Sequence, residues 1–246
     1  TYNEQRAREI EEDYKLFCSQ VYVIPPRDLI FFSADLQGNA IIAERMKAFA
    51  ALYQNEAKVI ITTMDALMSA AVPFEQLMSH VIKLKEGDEL DLEKLKHDLT
   101  VMGYERVGRV EEPGQFTVHG GIADVYPLTM EVPVRIELWG DEIDTIRCFE
   151  PQSQRSMDQI ECVSVFPAAE VIADDTARRR AVGMIQNELE SQLAVFKKVK
   201  EPDKAKRLRE ETNRILEALG EDVVLEAPDS YISYFYPRTV QLSEYF

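Results

Sequence analysis

The chain has 246 residues, enough for two or three small compact units, and its 46% hydrophobic and 29% charged content is ordinary for a water-soluble globular protein. A net charge of -16 argues against a general nucleic-acid surface, because neutralising phosphates takes clustered Lys and Arg, and leaves room for a local basic anchor for a protein partner. No apolar run approaches the roughly 18 residues of a membrane helix, and no export leader opens the sequence. The three scattered cysteines (Cys18, Cys148, Cys162) fit reduced thiols of a cytoplasmic protein, with no disulfide or zinc framework.

Residues 1–84 alternate helix and strand signals. The chain opens on Thr1 directly into a helical stripe of Ala7, Ile10, Tyr14 and Phe17, which reads as a piece of a longer protein. A short apolar strand, Val21–Ile24, ends at Pro25-Pro26, and residues 41–53 form a second helix. Val59–Thr62 is β-branched, as strands buried in parallel sheets are; helical pieces follow at 64–68 and 74–78, then a strand at 80–84. Helix and strand taking turns predicts an α/β layer with a parallel sheet.

The pattern changes near Lys85. Residues 86–89 form a polar linker, and Asp91 caps a helix carrying Leu92, Leu95, Leu99 and Met102, with Gly103 past its end. Strands follow at 104–110, 115–119, 122–126, 134–139 and 142–149. Their consecutive spacing predicts an antiparallel or mixed sheet, so residues 85–167 read as a separate α+β unit. Residues 168–246 read as a return segment, with helices at 174–199 and 203–219 around Pro202 and a stop at Gly220. Its last stretch, 230–246, alternates aromatic and polar residues.

The parts of an enzyme are missing. There is no glycine-rich phosphate loop, and no strand ends in paired acids for magnesium. His80, His97 and His119 have no partner at metal-ligand spacing, and no pair of acids stands out for proton transfer. The sequence therefore implies a protein-binding module with no catalytic residue, metal or cofactor. Its most informative stretch is PVRIELWGDEID, residues 133–144. Period two puts Val134, Ile136 and Leu138 on one face and Arg135, Glu137 and Trp139 on the other, with Gly140-Asp141 as a two-residue turn. Trp and Arg are enriched at the energetic centres of protein interfaces. The alternative is that Trp139 covers its own helix and Arg135 pairs with Glu137 or Asp144.

That stretch, with GQFTVHGGIADVYP (114–127), SQRS (153–156) and VFPA (165–168), resembles the UvrA-interaction domain shared by the excision-repair protein UvrB and the transcription-repair coupling factors. The SQRS run after Phe149 is closer to the coupling factors. The resemblance implies an incomplete RecA-like domain over 1–84 without its phosphate loop, the UvrA-interaction domain over 85–167, and a helical segment over 168–246 packing back on the first part. It implies UvrA as partner through Arg135 and Trp139, and through His119, which stands before Gly120 where the family carries an arginine. The long DNA-threading hairpin of UvrB would follow residues 29–32. Only residues 33–39 separate these from the next helix, too few for two strands and a turn. The implied role is recruitment of UvrA in transcription-coupled excision repair. The motor and the contacts to RNA polymerase and DNA would lie in parent domains absent from this chain, and no membrane is involved. Two alternatives are a fragment of a UvrB-type ATPase, and an autoinhibitory scaffold whose UvrA site is masked by other domains of the parent.

Overall fold

The computed structural model describes residues 1–27, 36–172, 174–220 and 231–246. The helices and strands form a mixed α/β and α+β fold in two compact units, Thr1–Glu170 with Val240–Phe246, and Val171–Thr239.

In the first unit, helix α1 (Glu4–Lys15) starts where the Asn3 side chain accepts the Arg6 amide at 2.8 Å. It buries Ala7 against Val21, Val23 and Ile61. Strand β1 (Val21–Ile24) runs parallel to β2 (Val59–Thr62), joined through helix α2 (Leu36–Tyr53), as a parallel pair requires a crossover. Met46 and Phe49 of α2 are fully buried. Short elements follow: α3 (Met64–Leu67), β3 (Ala70–Ala71) and α4 (Phe74–Met78). The helical stripe expected through Phe17 stops at Lys15; Tyr14, Leu16 and Phe17 are exposed. Residues 29–32, invoked for the missing hairpin, lie outside the described residues, and α2 begins at Leu36, earlier than the pattern predicts.

A second sheet begins where β4 (Ile82–Lys85) enters. Helix α5 (Leu92–Val101) is capped by Asp91, whose carboxylate accepts the amides of Glu93 and Lys94 at 2.9 and 3.1 Å. Its Leu95 and Leu99 are buried. Past its end, Gly103 takes φ +91°, a left-handed conformation that favours glycine, and a Cβ there would come within 2.8 Å of the Ala169 Cβ.

Six strands follow: β5 (Glu105–Arg106), β6 (Gln115–His119), β7 (Ile122–Val125), β8 (Val134–Trp139), β9 (Glu142–Phe149) and β10 (Ser156–Gln159), in the order β10-β9-β8-β7-β6-β5. Every pair is antiparallel except β5 with β6. Of the strand expected over 104–110, only two residues pair; Val107 gives a last amide to the Phe116 carbonyl at 2.9 Å, and Val107 and Val110 pack with Tyr126 and Phe149 in a small cluster of their own. The opposite side of the sheet carries the main core. There Phe116, Ala123, Ile136 and Ile146 meet Leu95, Leu99 and Met102 of the α5 segment.

Strand β11 (Cys162–Val165) leaves the unit antiparallel to β4, from Cys162↔Lys85 to Val165↔Ile82. Leu84, Val163 and Val165 join the main core, so the boundary expected at 84/85 falls inside a strand that packs with the α5 helix and the six-stranded sheet. The polar linker is also built in: Gly87 donates to the Ile143 carbonyl, and Ile143 to that of Asp88. Glu170 is buried with Arg45 of α2, which donates to Oε2 from Nη2 at 3.0 Å. Burial alone would raise the Glu170 pKa, but Arg45, with Arg27 adding to it, holds the carboxyl below its ordinary value.

In the second unit, Asp174 caps helix α6 (Asp175–Lys198), and helix α7 (Pro202–Gly220) starts on Pro202, one residue before the start expected at 203. Gly220 is its last helical residue, one position short of the stop expected for it. Helix α8 (Ile232–Phe235) precedes Tyr236, whose hydroxyl exchanges 2.9 Å hydrogen bonds with the backbone of Ile172. The chain then returns to the first unit as β12 (Val240–Gln241), antiparallel to β3. A closing 3-10 turn brings the Tyr245 ring against Phe49 and Phe74.

Candidate protein interface

The surface of interest is built by two hairpins whose turns need glycine. His119 pairs with Ile122 across Gly120-Gly121, and Trp139 pairs with Glu142 across Gly140-Asp141. Gly120 and Gly140, first in each turn, have φ +59° and +66°, as a type II′ turn requires. Both turns lie at the same end of the sheet, because Ile122 pairs with Glu137 across β7 and β8. A bulge at Asp144 leaves β8 regular, so its side chains keep strict alternation.

The register sorts the outer face into rows. Thr117, Asp124, Arg135 and Arg147 stand across from one another on β6 to β9. The next row is His119, Ile122, Glu137 and Thr145, and Trp139 with Glu142 forms the rim. The first row is sunk: Thr117 and Asp124 are buried, and the Arg135 guanidinium lies over the Phe149 ring, 4.8 Å from its centroid. Beyond it the face opens. His119 and Ile122 are exposed, and Trp139 is 84% exposed, so the indole covers no helix of its own.

Arg135 is held in place. Its Nε and Nη2 donate to the two Asp124 carboxylate oxygens at 2.7 Å each, a fork-to-fork pair. This hydrogen-bonded carboxylate raises the arginine pKa further above its ordinary range. The internal partner is neither Glu137 nor Asp144: Glu137 accepts from the Thr145 hydroxyl at 3.2 Å instead. His119 shares a 2.9 Å hydrogen bond between Nε2 and the Thr117 hydroxyl, which turns the ring along the row.

The structure thus brings Arg135, Trp139 and His119 onto one face. Sequence reasoning passed over three others there: Asp124, Ile122 and Arg147. The first two were readable, since a two-residue turn after His119 fixes Ile122 opposite His119 and Asp124 opposite Thr117. Such a face, with an exposed indole and aliphatic side chain flanking a fixed guanidinium group, can bind a protein surface that presents carboxylates and an apolar patch. Among the described residues no group of three or more His, Cys, Asp or Glu could hold a metal ion, and no helix is long and apolar enough to cross a membrane.

Comparison with known proteins gives this face a context. Residues 82–170 match the family model of the UvrB interaction domain. Over its full length the chain is 30% identical to the transcription-repair-coupling factor of Bacillus subtilis (strain 168), of which it covers 21%. Over 78% of its length it is 35% identical to the protein of the same name from Staphylococcus haemolyticus, covering 16% of it, and a relative from Staphylococcus aureus (strain Mu50) is 30% identical over 96% of the chain. The chain spans about a fifth of the length of the curated relatives it matches over nearly its whole length.

Proposed function

We propose, from the match of residues 82–170 to the UvrB interaction domain, that this chain is a non-catalytic module of a transcription-repair coupling factor. In this reading it recruits UvrA for transcription-coupled excision repair, and UvrA docks on the β6–β9 face. The observation that carries the reading is Trp139, the chain's single tryptophan, standing 84% exposed beside Arg135 and His119 inside the matched domain. A large aromatic left in water contributes nothing to the fold; covered by a partner, it anchors an interface. Arg135, fixed by Asp124 and stacked on Phe149, presents a preorganised guanidinium edge, so little rotamer freedom is lost on docking. The names of the relatives favour the coupling factor over a UvrB-type ATPase. Contacts with RNA polymerase and DNA belong to parts of the parent outside this chain, while the other domains of the parent are, with UvrA, partners of this one.

The test is a calorimetric titration of UvrA with the 246-residue chain and its Trp139→Ala and Arg135→Lys variants, with melts recorded alongside. Lysine keeps a charge for Asp124 but cannot fork. Both variants should lose affinity, by about 2 kcal/mol for the indole. If wild-type chain fails to bind UvrA, or both variants bind like wild type, the reading is wrong.

A further inference from the structure

Arg147 stands directly opposite Arg135 on the outer face, in the row that also holds Asp124. That carboxylate already accepts from Arg135 through both oxygens. Arg147 has none of its own. Its Nε is buried without a hydrogen-bond partner, and among the described residues its guanidinium forms no ion pair. Glu137, in the next row, accepts from Thr145, while Glu86 accepts from Gln159 at 2.8 Å and from the Ile146 amide at 3.3 Å.

Fold stability does not account for this arrangement. Like charges directly across a strand pair repel, and a buried N–H without an acceptor carries its full desolvation cost. The row itself carries two guanidinium groups and one carboxylate, with the Glu137 carboxylate of the next row also acting on Arg135, on a chain whose net charge is -16. An acidic protein surface is repelled by most of this molecule and least at this row, where the two arginines stand.

We propose that Arg147 is a recognition residue that receives a carboxylate side chain of the docking partner, completing a second arginine–carboxylate pair beside Arg135–Asp124. The inference rests on the reading of the β6–β9 face as the UvrA surface, and adds to it an unassigned residue and the chemistry it meets: an aspartate or glutamate of UvrA reaching past Trp139 into the Arg135–Arg147 row. On docking, the part of the half-buried Arg147 guanidinium that solvent reaches gains an acceptor, and the repulsion between the two arginines is neutralised.

The experiment is a titration of UvrA with the full chain carrying Arg147→Gln or Arg147→Lys, beside Trp139→Ala, with thermal melts of each free protein. Arg147→Gln should weaken binding about tenfold or more while the melting temperature stays level or rises. Arg147→Lys, which keeps the charge and loses the fork, should fall between. A purely structural arginine would give the opposite melt, so a lowered melting temperature accompanying the lost affinity overturns the proposal. Wild-type affinity for Arg147→Gln together with weakened Trp139→Ala overturns it while leaving the UvrA surface standing. No binding by wild type, or unchanged affinity for every variant, removes the surface and Arg147 with it.

Discussion

Replacing Arg135 with alanine should unsettle the fold as well as the interface. The pair it forms with Asp124 is bidentate, and the side chains are 22% and 8% exposed. Alanine would leave the aspartate carboxylate among the side chains of Thr117 and the sheet with both acceptors unmatched. Breaking a buried pair from one side costs about 3–5 kcal/mol, and because the arginine edge is still wetted the lower end applies, about 3 kcal/mol. The assay is urea unfolding followed by far-ultraviolet circular dichroism, comparing wild type, Arg135→Ala, Asp124→Ala and the double variant. The double variant should recover about 1–2 kcal/mol of the single loss, since no charge is then stranded. Arg135→Ala within about 0.5 kcal/mol of wild type would show that solvent satisfies Asp124 and that the pair adds nothing.

Four more outcomes rest on the same geometry. Trp139→Ala should leave unfolding stability within about 0.5 kcal/mol, since the side chain buries little; a larger loss in urea would mean it packs on its own sheet. Gly103→Ala should cost about 2 kcal/mol or more, combining a left-handed backbone penalty with the 2.8 Å approach to Ala169, as a urea midpoint shift would show. Glu170→Gln should cost about 3 kcal/mol at neutral pH. Because the Glu170 pKa is held below its ordinary 4.5, that stabilisation is complete above pH 4.5 and is lost as pH falls through the depressed value. The gap between wild type and Glu170→Gln should therefore close on acidification, which a series of urea curves can track. Calorimetry should detect no micromolar ATP binding by the chain; a saturable isotherm would restore a nucleotide role.

The two hairpins were legible because their signals are local. Alternation from Val134 to Trp139 and glycine first in each turn settle which side chains share a face, and Asp91 and Gly103 bracket α5 as their chemistry requires. The long-range partners were not legible. Nothing local says that Arg135 meets Asp124: that register depends on the path of residues 126–133, a connection with no periodicity to read. The strand expected over 104–110 failed for a related reason. Val107 and Val110 look like strand residues, but their apolar side chains are used by Tyr126 and Phe149 on the outer face. Arg147 escaped notice because an arginine in a strand reads as solvated; only the structure reveals a buried Nε with nothing to bond.

The ribbon of β4 and β11 gives the unit that holds the six-stranded sheet a property of its own. Ile82 and Val165, at its entrance and exit, are paired neighbours in an antiparallel ladder, so their Cα atoms stand only about 5 Å apart. A unit whose two ends meet can be spliced into a host loop without stretching either one, as an inserted cassette is. The same closeness means that a short glycine link would be long enough to join the two ends to each other.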